Sequence, residues 1–292
     1  MNREVPLLLA CLALPALAQQ VRFEVPRLGY VYDAEAKAVR AVSGVPGAAV
    51  LEGTVSQGSL DRAWVSSLGF AVAQAKQGGS ARLLNFETGT DTVLGDVQSA
   101  ALSGRFAAVA NRSSLEIWDA QSASRTTRLD LSGVRAVAVS PDGQQALATN
   151  GTTLQRIAGD TATSIWSGDN IIGVAYIDGG YVAFDAARNK LLIARGGETS
   201  ETDGPLTGAT AFAALDGTKL AFGNDTAIAV LDLASSTVRS LATEHPVEEL
   251  LASNNGVAQI RFRGSSRVAL LEWNADQSTA QIEYLVVAGG AR

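Results

Sequence analysis

Six glycines recur at near-even intervals along this chain, and the repeat limits the folds open to it more than any other feature. The glycines are Gly69, Gly104, Gly143, Gly180, Gly217 and Gly256, with gaps of 35, 39, 37, 37 and 39 residues. Around each one lie a short apolar run, a polar turn and a second apolar run, in the same order. A repeat of this length with strand chemistry throughout predicts an array of small β-sheets, radial or linear.

A second periodic element lies between the glycines. Each copy is a short apolar segment, followed by a polar turn and another β-prone stretch such as Ser235–Leu241. One repeat unit therefore contains four strands, which matches a β-propeller blade and exceeds what a sandwich hairpin needs. The segments are Gly29–Asp33, Arg82–Glu87, Leu115–Asp119, Leu154–Ala158, Lys190–Ala194, Ala227–Asp232 and Val268–Asn274.

The number of blades follows from counting both elements. Six glycines but seven apolar segments are present, because Tyr30–Val42 supplies an extra strand pair near the N-terminus. We predict an all-β propeller of seven four-stranded antiparallel blades, one of them incomplete, with six blades as the alternative. Strands from the two termini would share a blade and so remove free sheet edges. The small-residue segment Val45–Leu60 is expected to cross to the first full repeat. A linear solenoid would need polar capping units, and the sequence shows none.

Turn chemistry supports the four-stranded unit. Asx-Gly pairs supply the positive φ that tight hairpins require, and here they join the first two strands of a unit. These pairs are Asp142–Gly143, Asp178–Gly179, Asp216–Gly217 and Asn255–Gly256. The second turn carries Asn111–Ser113, Asn150–Thr152 and Asn224–Thr226. These tripeptides also fit the glycosylation pattern, but local hydrogen bonding of Asn in turns explains them more simply.

These motifs resemble a known group of folds. Ser140–Gly143 followed by Ala146–Ala148, together with third strands that end in Asp, resembles the WD40, YVTN and TolB-like β-propellers. Trp118–Asp119 is similar to the WD dipeptide. The Gly-His pair of WD40 repeats is missing, since the single histidine is His245. The resemblance therefore implies a propeller without implying WD40-type partners or the Asp-His hydrogen bond of that family.

The first 18 residues differ from the rest of the chain. Val5–Leu17 is apolar apart from prolines, and Ala16–Ala18 fits a cleavage site with small residues. We predict a signal peptide over residues 1–18 and a single propeller domain over 19–292, exported to the periplasm or the medium. The apolar stretch is too short for a transmembrane span. The alternative is a lipoprotein anchored at Cys11, because Leu8–Cys11 resembles a lipobox.

Composition and motifs exclude several kinds of chemistry. The net charge of −6 argues against nucleic-acid binding. There is no G-x-S-x-G motif, and His245 and Cys11 are the only residues of their types, which leaves no nucleophile–base pair and no zinc ligand set. The acidic stretch Glu198–Asp203 lacks EF-hand spacing and is expected to be a solvated loop. We therefore predict no metal, no cofactor and no identifiable catalytic residue.

The function that these observations favour is a non-catalytic binding or scaffold protein, monomeric, whose partner is a protein, a peptide or a glycan. The second turns of successive blades would project on one rim and carry the binding groups. The candidate residues are Asn111, Asn150, Asp185, Asn224 and Arg263. The alternative is an extracytoplasmic glycan lyase or hydrolase acting at the channel mouth. The tryptophans suggest that the protein could stack on carbohydrate rings. However, Trp118 and Trp273 occupy equivalent positions near the end of the third strand, which favours packing between blades.

Overall fold

The computed structural model describes residues 27–45, 48–56, 58–75, 79–254, 256–274 and 279–287. Over these residues the chain forms 28 β-strands and no helix, and the strands group into seven sheets of four. The predicted all-β propeller is thus confirmed, with seven blades rather than six. The blade expected to be incomplete also has four strands, because β28 completes blade 1. The signal peptide at 1–18 and the alternative anchor at Cys11 lie outside the described residues.

Blades 1 to 4 follow the chain, except that blade 1 takes its last strand from the C-terminal end. Blade 1 contains β1 (Arg27–Asp33), β2 (Ala38–Ser43), β3 (Val50–Thr54) and β28 (Val286–Val287). Blade 2 contains β4 (Leu60–Val65), β5 (Phe70–Ala75), β6 (Ala81–Asn85) and β7 (Thr90–Gly95). Blade 3 contains β8 (Val97–Ser103), β9 (Phe106–Asn111), β10 (Ser114–Asp119) and β11 (Ser124–Asp130). Blade 4 contains β12 (Ala136–Val139), β13 (Gln145–Thr149), β14 (Thr153–Ala158) and β15 (Thr161–Ser167).

Blades 5 to 7 repeat the same order, in which the first strand of each blade is innermost and the fourth is outermost. Blade 5 contains β16 (Ile171–Ile177), β17 (Gly180–Asp185), β18 (Lys190–Arg195) and β19 (Glu198–Asp203). Blade 6 contains β20 (Ala211–Ala214), β21 (Lys219–Gly223), β22 (Ala227–Asp232) and β23 (Thr237–Ala242). Blade 7 contains β24 (Val247–Asn254), β25 (Val257–Phe262), β26 (Ala269–Asn274) and β27 (Thr279–Tyr284).

Blade 1 closes the ring with strands from both ends of the described chain. Its first three strands pair antiparallel, whereas β28 pairs parallel to β3 with Val286 opposite Val50. The prediction that the two termini share a blade is confirmed. The expectation that 45–60 is only a crossing segment is wrong, because β3 lies within it. Leu51 of β3 is buried against Leu270 and Leu285, and this burial outweighs the weak strand propensity of the surrounding small residues.

The hydrophobic core lies between neighbouring blades. In β9, Ala107 and Val109 belong to the cluster shared with blade 2, whereas Ala108 and Ala110 belong to the cluster shared with blade 4. All four residues are fully buried. A strand covered on both faces reads as a continuous apolar run, which explains why the sequence shows little polar alternation in these segments.

The antiparallel order gives the ring two distinct faces. The first and third turns of each blade lie on one face, called here the first-turn face. The second turns and the links between blades lie on the other, called the second-turn face. Contacts between blades follow this division, since Arg112 in a second turn pairs with Asp96 in a link at 2.9 Å. On the first-turn face, the Asp178 N–H donates to the Gly217 carbonyl at 2.8 Å.

Two local predictions need correction. Gly143 has φ +70° as expected for its hairpin, but Gly217 has no positive φ. A Cβ at Gly217 would lie 1.8 Å from Asp178 Oδ1, so glycine there leaves room for the Asp178 side chain of blade 5. The stretch 198–203 is the outermost strand β19 and not a loop, because an edge strand tolerates exposed charges and is protected by them from pairing with other chains.

Candidate functional site: the central channel and the second-turn rim

A channel runs through the ring along its axis and encloses about 730 Å³. Its described lining comes chiefly from the innermost strands of blades 2 to 7 and includes many small residues such as Ala100, Ala138 and Ala213. Small side chains fit here because inner strands crowd around the axis. Tyr176 also lines the channel, and its buried hydroxyl has no hydrogen-bond partner among the described residues. Burial raises the pKa of Tyr176, so its hydroxyl stays protonated.

The channel mouth on the second-turn face gathers opposite charges. Arg62 from β4 contacts Glu249 from β24, which joins blades 2 and 7 directly. Arg261 from β25 lies 3.1 Å from Glu249 and 3.4 Å from Glu248. The guanidinium of Arg62 also lies 4.4 Å from the centre of the Trp64 ring. These contacts hold two carboxylates and two guanidinium groups in fixed positions at the mouth.

Arg135 lies at the same mouth without an ion pair to any described residue. Its side chain is exposed and passes over Gly151, where a Cβ would lie 2.9 Å from the Arg135 Nη1 atom. Gly151 has φ +101°, a backbone conformation that favours glycine. The second-turn mouth therefore presents one arginine whose hydrogen-bond donors are available to a ligand.

The opposite mouth, on the first-turn face, is acidic. Asp178 and Asp216 line it, from the first turns of blades 5 and 6. Lys219 Nζ lies 3.4 Å from Asp216 Oδ2, and Arg195 donates from Nε to the Asp178 carbonyl at 3.0 Å. Asp216 also accepts backbone N–H bonds from Thr218 and Lys219 at 2.7 and 2.8 Å. The Asp216 carboxylate therefore stabilises the first turn of blade 6.

Two of the predicted rim residues form the same local structure. Asn150 Oδ1 accepts hydrogen bonds from the N–H groups of Thr152 and Thr153, at 3.0 and 2.8 Å. Asn224 Oδ1 accepts bonds from the N–H groups of Thr226 and Ala227, both at 2.9 Å. Each asparagine thus closes the second turn of its blade. Both are on the second-turn face, as expected, and their binding role stays a prediction.

Asp185 occupies the corresponding place in blade 5 and is fully buried. Its carboxylate accepts N–H bonds from Asp169, Asn170, Ala187 and Arg188, at 2.7, 3.1, 3.0 and 3.2 Å. Burial alone would raise the pKa of Asp185, but these four donors outweigh it and hold the pKa below its usual range. Asp185 therefore joins the second turn of blade 5 to the link between blades 4 and 5.

Arg263 and Asn111 complete the predicted set. Arg263 is exposed and lies 3.8 Å from Asp225 in the neighbouring second turn. Asn111 lies beside a groove between blades 2 and 3, and its Oδ1 atom is buried without a hydrogen-bond partner among the described residues. None of the five predicted residues is part of the described channel lining. The rim turns and the channel mouth are therefore separate candidate surfaces on one face.

The described part of the chain can be searched for metal ligands, for the place of the single histidine and for membrane-spanning helices. No group of three His, Cys, Asp or Glu residues there could hold a metal ion. His245 is half-buried in the link before β24, with its ring 6.1 Å from that of Phe262. The described residues also contain no helix that is long and apolar enough to cross a bilayer.

The charged mouth was missed by sequence reasoning. Arg62, Glu248 and Glu249 sit at inner-strand positions that otherwise hold apolar or small residues, as in β12 and β20. Once the repeats are aligned, charge at these positions is a readable signal. That Arg62 meets Glu249 is not readable from the sequence, because 187 positions separate the two residues. Arg261, in contrast, lies opposite Glu249 within one hairpin.

Comparison with known proteins gives the fold and no family. No protein-family model and no curated protein sequence matches the chain. A functionally unknown protein from Desulfotomaculum acetoxidans matches with a TM-score of 0.62 at 10% identity, over 89% of this chain and 99% of that one. The C-terminal WD40 domain of Sif2 matches with a TM-score of 0.53 at 12% identity, over 92% and 89%.

A third match concerns a much longer protein. PorZ, a bacterial surface component of the type-IX secretion system of Porphyromonas gingivalis, matches with a TM-score of 0.61 at 14% identity. The match covers 91% of this chain but only 38% of the PorZ chain. At such identities the likeness shows the fold alone. The chain is therefore a seven-bladed β-propeller, and it shares the propeller fold with the WD40 domain of Sif2.

Proposed function

We propose that this protein is an exported, non-catalytic β-propeller that binds a partner through its second-turn face. The observation that carries the proposal is the contrast between the two channel mouths. The first-turn mouth is lined by Asp178 and Asp216, whereas the second-turn mouth carries the exposed Arg135, with Arg263 exposed on the rim around it. Loops fixed on a rigid scaffold are where binding groups are usually found. Export rests on the apolar segment before the propeller and on the cleavage pattern at Ala16–Ala18.

Capture from an envelope extract of the producing cell tests the proposal. The immobilised full-length protein should retain a fixed partner, identified by mass spectrometry. Arg135→Glu and Arg263→Glu reverse exposed charges on the second-turn face and should remove that capture. Glu87→Arg reverses an exposed charge on the first-turn face and serves as the matched control. If the control variant loses the partner and the two arginine variants keep it, the face assignment is wrong.

An extracytoplasmic enzyme of the lyase or hydrolase type is the second candidate. It would need several acids, or an acid with an arginine, within one cleft, and Arg62, Arg261, Glu248 and Glu249 meet this requirement at one mouth. Against it, both glutamates are already paired with arginines. Incubation with a polyuronate and with a neutral β-glucan, followed by a reducing-end assay, tests this candidate. New reducing ends that disappear in Glu249→Gln would favour the enzyme.

A further inference from the structure

Blade 1 exposes apolar side chains at the end where its outermost strand lies. That strand, β28, has two residues, whereas the outermost strands of the other six blades have six or seven. Val286 in β28 is 65% exposed, and Val45 in the loop between β2 and β3 is 54% exposed. Six large apolar side chains are exposed among the described residues, and these are two of them. We call Val45 and Val286 the valine surface.

The strand register brings this surface close to the residue at which the chain enters the propeller. Arg27 pairs with Ser43, Ser43 pairs with Val50, and Val50 pairs with Val286. These four residues form one row across blade 1, which is three strand spacings or about 14 Å wide. Val45 follows Ser43 by two positions, at the same end of the blade. Because Arg27 begins β1, the chain before it starts within reach of both valines.

The sequence before Arg27 has the pattern of a segment with one apolar side. Residues 19–26 read Gln-Gln-Val-Arg-Phe-Glu-Val-Pro and lie outside the described residues. Their three large apolar residues alternate with one arginine and one glutamate, and alternate residues of an extended segment point to the same side. Eight extended residues span up to about 26 Å, which exceeds the width of the row. The segment is therefore long enough to reach the valine surface from Arg27.

The surroundings of the valine surface favour this segment over a second copy of the chain. The segment is joined to the row at Arg27, so its docking is intramolecular and occurs at a high effective concentration. A second copy would pair the surface with itself, and two valines bury far less than the roughly 1,000 Å² that a stable interface needs. It would also bring together like charges, which is unfavourable. Those charges are Glu52, which contacts Ser43 Oγ, and Glu283, which accepts the Ala49 N–H at 2.8 Å.

We propose that residues 19–26 dock across this end of blade 1, with their apolar side chains on the valine surface and their charged side chains in water. The contact removes hydrocarbon from water on both sides, which favours docking. It also adds a further stretch of chain to the blade in which β28 supplies only two residues. The segment before β1 thus helps to close the ring. This role needs no external partner and is independent of the proposed binding function.

Hydrogen exchange of the full chain, measured by mass spectrometry, tests the docking in an apolar variant and a matched control. The substitutions are Val21→Ser, Phe23→Ser and Val25→Ser in the apolar variant, and Arg22→Ser and Glu24→Ser in the control. In the apolar variant, peptides that contain Val45 or Val286 should exchange at least about fivefold faster than in wild type, because loss of the contact makes local opening more frequent. The control should stay within about twofold of wild type. Unchanged exchange in the apolar variant, or an equal increase in the control, overturns the proposal.

Further measurements separate docking from general destabilisation and from self-association. Exchange in β13 of blade 4 should not change in the apolar variant, and an equal increase there would contradict a local contact. Val286→Ser should also speed exchange near Val45, and adding it to the apolar variant should have little further effect, because both changes remove one contact. Fully multiplicative effects would argue against that contact. Wild type should sediment as a monomer, whereas a dimer that Val286→Ser dissociates would mean that a second copy covers the surface.

Discussion

The ring is held together differently on its two sides. Blades 5 and 6 meet through Phe184, Phe212 and Phe222, whose ring centres are 5.0 to 6.0 Å apart. On the other side blade 7, blade 1 and blade 2 meet partly through polar contacts. Gln259 of β25 accepts from the Tyr32 N–H at 3.1 Å and donates to the Tyr32 carbonyl at 2.6 Å. We call these regions the packed side and the closing side.

This difference follows from what each side must accomplish. The packed side joins consecutive blades, so complementary apolar surfaces are enough to hold them together. The closing side joins the two ends of the described chain, and its outermost strand β28 has only two residues. Directional hydrogen bonds fix the position of blade 1 where little strand pairing is available. The Gln259 side chain bonds to Tyr32 as a neighbouring strand would, because its amide pairs with both the N–H and the carbonyl of Tyr32.

The largest expected effect is on the packed side. Phe184→Ala should lower the free energy of unfolding by about 3–5 kcal/mol, since a fully buried ring is replaced by a cavity. Phe86→Ala on the closing side should cost less, because Phe86 is only half-buried against Tyr30. Denaturant unfolding followed by tryptophan fluorescence measures both. Equal losses would mean that the two sides are packed alike.

Asp185 extends the comparison to a buried charge on the packed side. Asp185→Asn should cost about 3 kcal/mol at neutral pH, because the four N–H donors lose an anionic acceptor. The folded pKa of Asp185 lies below its unfolded value of about 3.9. The stabilisation is therefore complete above the unfolded pKa and is lost as pH falls through the folded pKa. The difference in unfolding free energy between wild type and variant should shrink over that acidic range. A constant difference would contradict the assignment.

The smallest of the three effects is expected on the closing side. Gln259→Leu should cost about 2 kcal/mol, since the buried Tyr32 N–H and carbonyl lose their partner. Hydrogen exchange should then increase in blade 1 and stay unchanged in blade 5. Thr279→Val, at an exposed position of β27 in the same blade, is the control and should change stability by less than about 0.5 kcal/mol. Uniform exchange across the ring would show that closure is not a local property.

The repeat made much of the fold predictable. Glycine spacing and third-strand segments predicted seven blades, and the six first-turn positions agree with the structure. Three segments were misread. Gly29–Asp33 was counted with the third strands, but it belongs to β1, the first strand of blade 1. The stretch 45–60 hides β3 among Gly, Pro and small residues, and Glu198–Asp203 looks like a loop because an edge strand has no core face to reveal it. These last two errors concern strands whose pairing partners, not their own residues, determine their conformation.

The candidate sites were less accessible to sequence reasoning. Asn111, Asn150 and Asn224 look alike in the sequence, yet two close their turns and the third faces a groove. At Asn111 the neighbouring blade contributes Val93 and Asp96 to the same groove. A repeat position predicts a turn; it does not predict which neighbours the turn meets.

The sequence by itself determined the kind of sheet, the number of blades and the position of the first turns, because these depend on local periodicity and turn chemistry. The tertiary structure alone decided that Arg62 meets Glu249 and that Gln259 bonds to Tyr32. The physical reason is distance along the chain. Contacts between residues about two hundred positions apart exist only after the ring has closed, and no local pattern encodes them.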